Sequence, residues 1–162
     1  YLRYKKMNEK VLKFPYIEQS ETSANCGPCS VKSIIDYFNI KKENGDEYTV
    51  HSINKYLKTS HDFGCDEEEI LNFFDRINLR YETIDSSDIK KSINKGYPVL
   101  SSFKDELNDG HYAVIIGHYK DFYVFMDPWP KFGKNYFRDT QFFEKQLDAF
   151  DSWLISVTGL KK

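Results

Sequence analysis

The apolar positions of this chain follow two different periods, one in each half. Val31, Ile34, Ile35 and Phe38 recur at i, i+3, i+4 and i+7, the pattern of a helix with one buried face. Pro28 suits the first turn of that helix, where a missing N–H is no loss. The spacing predicts a helix from about Cys26 to about Asn39. Before it, residues 1–18 are a basic lead-in ending in a short extended segment at 11–17, interrupted by Pro15, and a polar loop follows to Asn25. Residues 41–49 are a polar loop turning at Asn44-Gly45. Val50, Ile53, Tyr56 and Leu57 predict a second helix. Ile70, Phe73, Phe74 and Ile77 predict a third, with Asp66 and Glu69 as its capping box.

From residue 79 the pattern shortens. Residues 79–84 read as a strand and 87–95 as a short helix stopped by Gly96. Residues 99–103, 111–119 and 122–126 are short apolar or aromatic runs bounded by turn residues, as strands are. Lys120-Asp121 links the last two tightly enough for a hairpin. A helix at 140–147 and a closing strand at 153–158 complete the expectation. Helices first and antiparallel strands afterwards make an α+β arrangement. With 162 residues and no linker, repeat or low-complexity segment, the chain reads as a single domain over 1–162.

Composition narrows the function. Aromatic residues make up 17% of the chain, enough to fill a core. A net charge of −2 gives no argument for nucleic acid or an anionic membrane surface. Six acidic residues and no basic ones between Asp62 and Asp75 read as a solvated face. No apolar run approaches the roughly 18–20 residues that span a bilayer. Three cysteines are an odd count and not a disulfide framework. With no secretory signal pattern at the start, the expectation is a soluble protein, cytoplasmic rather than secreted.

The candidate chemistry starts at Cys26. A helix N-terminus stabilises a thiolate, which is the nucleophilic form of cysteine. A nucleophile needs a base, and the base an orienting group. His51 and His61 lie in polar sequence and read as surface residues. His111 opens a buried strand. His118 is seven residues on, so a regular strand would point it to the opposite face. Asp127 ends the next strand, and antiparallel pairing would bring it beside His111. Gln19, seven residues before Cys26, could join the backbone N–H of Cys26 in an oxyanion hole. Other readings of the cysteines stay open. Cys26-Gly-Pro-Cys29 is also the tetrapeptide of thiol–disulfide oxidoreductases, although here a polar loop rather than a strand leads into it. Cys26, Cys29, His61 and Cys65 could form a zinc site. The thiols could also be inert in a binding module, with Cys29 as a small buried residue on the helix and Cys65 as a half-buried loop residue.

Gln19, the run Asn25-Cys26-Gly27-Pro28, the Gly-Tyr-Pro-Val run from Gly96 to Val99, then Gly110-His111-Tyr112 opening a strand and Asp127-Pro128, together resemble the bacterial papain-like cysteine peptidases. They are most similar to the group of double-glycine leader peptidases of bacteriocin exporters and their stand-alone relatives. The resemblance spans about residues 11–157. It implies a papain-like fold, with Cys26 as nucleophile, His111 as base, Asp127 as orienter and Gln19 in the oxyanion hole. It further implies hydrolysis of a peptide or protein substrate through a thioester, with no metal and no organic cofactor. The same triad also serves transglutaminase, amidase and acyltransferase chemistry.

Overall fold

A single antiparallel sheet collects every strand of the molecule's described part. The computed structural model describes residues 9–105, 109–148 and 152–161; residues 1–8 of the basic lead-in lie outside them. In chain order the elements are β1 (Glu9–Val11), α1 (Cys26–Tyr37), α2 (Val50–Leu57), α3 (Glu67–Arg76), β2 (Leu79–Thr83), a 3-10 turn at Ser86–Asp88, α4 (Ile89–Asn94), β3 (Val99–Lys104), β4 (Gly110–Tyr119), β5 (Phe122–Met126), β6 (Lys134–Asp139), α5 (Thr140–Asp148) and β7 (Trp153–Leu160). The spatial order is β2-β7-β3-β4-β5-β6, and β1 adds to the far end of β4 through Val11 and Gly117. Among the described residues, no helix is long and apolar enough to cross a membrane.

The helix of the first half forms for the reason its period indicates. Val31, Ile34 and Ile35 are wholly buried, and burial runs without a break from Gly27 to Ile35. It includes Lys32, whose ammonium pairs with Asp36 one turn on. Each such side chain removed from water contributes about 1.5–3 kcal/mol. The helix stops at Tyr37, two residues short of the expected end. The capping box forms at a different helix from the expected one. Asp66 makes no side-chain cap, and Glu69 pairs with Lys58 at 3.0 Å rather than reaching back to it. Thr49 and Ser52 cap α2 reciprocally, each side chain accepting from the other's backbone N–H.

Strands β3, β4, β5 and β7 lie where the alternation puts them, and Lys120-Asp121 is the two-residue turn between β4 and β5. The expected helix at 87–95 appears as the 3-10 turn and α4, ended at Gly96 with φ +85°. Two elements differ from expectation. The lead-in strand ends at Val11, where the extended segment was expected to begin. The chain carries on extended past it, with Leu12 N–H donating to the Ile116 carbonyl at 2.7 Å. β6 has no counterpart in the sequence reading. It pairs with β5 from Phe122–Asp139 to Met126–Lys134 and forms the sheet's edge.

The aromatic content concentrates beneath β3, β5 and α5. Phe143 of α5 meets Phe103 at 5.2 Å, Phe125 at 5.0 Å and Tyr123 at 5.8 Å between ring centroids, mostly edge to face. Phe103 is the cross-strand partner of His111 and touches its ring edge-on at 5.7 Å. The core therefore fixes the histidine as well as the fold. Phe143→Ala should lower stability by about 3–5 kcal/mol, measured by denaturant unfolding; a loss below about 1 kcal/mol would contradict this packing.

Candidate active site

Cys26 is the first residue of α1, half-buried, with Asn25 in the cap position but making no side-chain cap. The start of the helix is wedged in place. A Cβ on Gly27 would lie 2.4 Å from Cys65 Sγ, so only glycine lets the loop before α3 approach this closely. Tyr112 on β4 ties that loop down, its hydroxyl donating to the Cys65 carbonyl at 2.8 Å. Ser30 in turn donates to the Tyr112 carbonyl at 3.4 Å. Helix, loop and strand thus share one small contact, and Cys26 sits at its edge.

His111, 7% exposed, lies at the start of β4 with Asp127 just past the end of β5. The antiparallel pairing brings them together across 16 residues: His111 Nε2 is 2.7 Å from Asp127 Oδ1. That bond leaves Nδ1 for the thiol. Burial pushes the imidazolium toward losing its proton, but hydrogen bonds to Asp127 and to Cys26 outweigh it and carry the His111 pKa from 6.5 up to about 10. Asp127 has no exposed surface. Its Oδ1 also accepts the Trp129 backbone N–H at 2.9 Å, and its Oδ2 faces Arg138 Nη2 at 3.3 Å. Trp129 Cα follows Asp127 by two residues, so this is an Asx-type turn that fixes the carboxylate's rotamer.

A folded-state pKa raised above the unfolded value stabilises the protein fully below about pH 6.5, and that contribution is lost as pH rises through about 10. The stability difference between the wild type and His111→Gln should accordingly shrink across that window. Thermal unfolding of both proteins from pH 6 to 10 measures it; a difference that grows with pH would contradict the assignment.

Gln19 is 5% exposed. Its backbone N–H donates to the Pro128 carbonyl at 2.9 Å, which ties the loop before α1 to the segment after Asp127. Its Nε2 donates to the Ser23 carbonyl at 3.0 Å, and Oε1 is buried with no hydrogen-bond partner. Gln19, Cys26, His111, Tyr112 and Trp129 all line one cleft of about 720 Å³. Phe63, 91% exposed, stands on its rim.

The other candidates lie elsewhere. His118 Nε2 donates to Asn94 Oδ1 at 2.8 Å, under α4. The reason expected for its exclusion was wrong, however. A bulge at Ile116 interrupts β4, so that Ile115 pairs with Phe125 but His118 with Tyr123. By register His111 and His118 are then in phase, and what separates them is roughly 20 Å of strand at about 3.3 Å per residue. His61 is exposed beside Asp62, and among the described residues no group of three or more His, Cys, Asp or Glu could hold a metal. The zinc set of Cys26, Cys29, His61 and Cys65 is therefore not assembled. All three cysteines are free thiols. Burial, then Cys26, pushes Cys29 up to about 12 and likewise Cys65, which makes both poor nucleophiles at neutral pH. Cys29→Ala should leave turnover largely intact and cost about 1 kcal/mol; loss of activity in a folded Cys29→Ala protein would revive the redox reading. Sequence reasoning passed over Arg138. A lone arginine among Lys134, Asn135 and Asp139 looks like surface, and the available signal was its i, i+2 relation to Tyr136 on one side of a strand.

The sequence profile of the Peptidase_C39-like family matches residues 11–157. The chain belongs to the Peptidase_C39-like family. A search of the curated proteins finds no match. Several solved structures share the fold, three of them as follows. A putative C39-like peptidase from Bacillus anthracis is 17% identical with a TM-score of 0.69, covering 95% of this chain and 99% of its own. A double glycine motif protease from an AMS/PCAT transporter, in complex with the leader peptide, is 16% identical with a TM-score of 0.65, covering 91% and 94%. The peptidase domain of Streptococcus ComA, a bi-functional ABC transporter involved in quorum sensing, is 17% identical with a TM-score of 0.63, covering 88% and 96%. At these identities the likeness is one of fold. Family and fold together support a cysteine-peptidase-like function.

Proposed function

We propose that this C39-like protein is a thiol peptidase with Cys26 as nucleophile, His111 as general base and acid, Asp127 as orienter and Gln19 as an oxyanion donor. The observation that carries the reading is the buried His111–Asp127 bond of 2.7 Å opening onto the cleft that Cys26 also lines. Asp127 holds the imidazole through Nε2, so Nδ1 serves the sulfur. The thiolate attacks the scissile carbonyl, and the carbonyl π pair moves onto oxygen. The Cys26 backbone N–H and the Gln19 amide stabilise that oxyanion; one Gln19 N–H remains for it, since Nε2 donates the other to Ser23. His111 gives its proton to the leaving amine as the C–N bond breaks, leaving a thioester. His111 then takes a proton from water, the hydroxyl adds, and the thiolate leaves with the carboxylic acid formed.

The relative from the AMS/PCAT transporter is in complex with a leader peptide, which supports a peptide laid along the corresponding cleft here. Gln19→Ala should lower turnover by roughly 10²–10³ with little change in substrate binding, the range for one oxyanion donor; unchanged turnover would remove Gln19 from the site. The reading as a whole is tested by alkylation with iodoacetamide near neutral pH, mapped by mass spectrometry, together with turnover on a peptide library. Selective modification of Cys26 that abolishes turnover is the expected result. Equal, slow labelling of Cys26, Cys29 and Cys65, with no turnover of any peptide, would overturn it.

A further inference from the structure

Arg138 is a charged side chain inside an aromatic box. Its side chain is 1% exposed. The guanidinium carbon lies 4.9 Å from the ring centroid of Phe103, 5.3 Å from Phe125, 5.1 Å from Phe132 and 4.9 Å from Tyr136. These rings come from β3, β5, the loop after β5 and β6, so the head group is enclosed from several elements at once. Its Nη2 points at Asp127 Oδ2, the oxygen that His111 does not use.

We propose that Arg138 is a positioning residue that acts on His111 through Asp127, engaging Oδ2 so that the carboxylate presents Oδ1 to the imidazole. The inference rests on the catalytic reading of Cys26, His111 and Asp127 given above. A carboxylate with no exposed surface needs its partners within the protein. Its Oδ1 already receives two hydrogen bonds, from His111 and from Trp129 N–H, which leaves Oδ2 for the guanidinium. A guanidinium is charged at every working pH and cannot relinquish its proton. Stacked on ring faces, it is stabilised where water is excluded. Lysine would keep the charge but lose the flat, forked head.

The charges at the site make the consequence definite in sign. Cys26 thiolate, His111 imidazolium, Asp127 carboxylate and Arg138 guanidinium sum to zero. Removing the guanidinium leaves a net negative charge, which strengthens proton binding at each remaining group. Among the described residues, the other titratable groups near this unit are Tyr16, which feels Asp127, Tyr136 beside the guanidinium, Cys29, Cys65 and Tyr112 beside Cys26, and Asp62, Asp66, Asp105, Asp109 and Lys131 around the cleft. All are present in every variant compared, so they do not alter the sign.

The test is the rate of Cys26 alkylation by iodoacetamide as a function of pH, with peptide turnover measured beside it. In Arg138→Met the midpoint should rise by about one pH unit, and below the wild-type midpoint both alkylation and kcat should fall roughly tenfold, following the thiolate population, with KM unchanged. Arg138→Lys should keep the midpoint close to wild type. In an Asp127→Asn background, Arg138→Met should move the midpoint much less, because the carboxylate that transmits the effect is gone. An Arg138→Met protein that folds, by thermal unfolding, and keeps the wild-type midpoint and kcat overturns the proposal. If Arg138→Met does not fold, Arg138→Lys decides: a midpoint shifted as far as that of Asp127→Asn overturns the role of the charge. Unselective labelling of the wild type would count against the hydrolase itself, whereas selective labelling with an unmoved midpoint counts against Arg138 alone.

Discussion

Cys26→Ala should turn over no peptide above background while still binding it. The substitution removes one sulfur from the mouth of the cleft and leaves its walls, Tyr112, Trp129 and Gln19, in place. Without Sγ no thioester can form, and the loss should be on the order of 10⁶ in kcat, as for removal of a nucleophile that acts within a catalytic unit. His111→Ala should be nearly as damaging. The thiolate loses its cationic partner and the leaving amine its acid. The double variant should be little worse than either single one, because the two groups work as a unit and their effects do not add. Calorimetric binding of a cleaved peptide, alongside single-turnover kinetics, separates affinity from chemistry. Wild-type turnover in both single variants would end the peptidase reading. Equal binding of a partner to wild type and Cys26→Ala, with no turnover of any substrate, would favour a binding module.

The second large effect is on stability and needs no substrate. Asp127→Leu should cost about 3–5 kcal/mol, the penalty for removing one member of a buried ion pair. Arg138 and His111 both lose this carboxylate, and the guanidinium cannot discharge by deprotonation. For a chain of this size that corresponds to a melting temperature lower by roughly 6–20 °C. Asp127→Asn keeps the shape and should cost less while retaining measurable turnover. The half-exposed pair Lys161–Asp75, at 3.6 Å, supplies the control: breaking it should cost no more than about 1 kcal/mol. An Asp127→Leu protein as stable as the wild type would mean that neither buried cation depends on the carboxylate.

How much of this was legible in the sequence depended on whether an element announced itself by period. α1 announced itself by its apolar period, and the strands that became β3, β4 and β5 by short apolar runs between turn residues. β6 did not. Its only buried residue is Arg138, and an edge strand reading Lys-Asn-Tyr-Phe-Arg-Asp has the composition of a loop. The partner of Asp127 was therefore invisible, although Asp127 itself was marked by its place at the end of an apolar strand. The choice of His111 over His118 rested on alternation that the bulge at Ile116 breaks. One extra residue in a strand leaves no signature in the order of apolar and polar side chains, so only the paired register reveals it. The misplaced capping box has a similar origin: Asp66 and Glu69 have the right spacing, but Lys58 from the preceding turn competes for Glu69.

The unbroken burial of α1 from Gly27 to Ile35 reaches beyond packing. A helix enclosed on all sides has few partial openings available to it, and its amide hydrogens should exchange with solvent only when the whole fold opens. Cys26, the proposed nucleophile, is the first residue of that helix and is anchored to this slow core. The turn that carries Phe63, pinned by the Ser60–Gly64 bridge and otherwise exposed, belongs to the opposite extreme. In deuterium exchange the two walls of one cleft should therefore differ by orders of magnitude in rate, with Cys26 on the slow wall and Phe63 on the fast one.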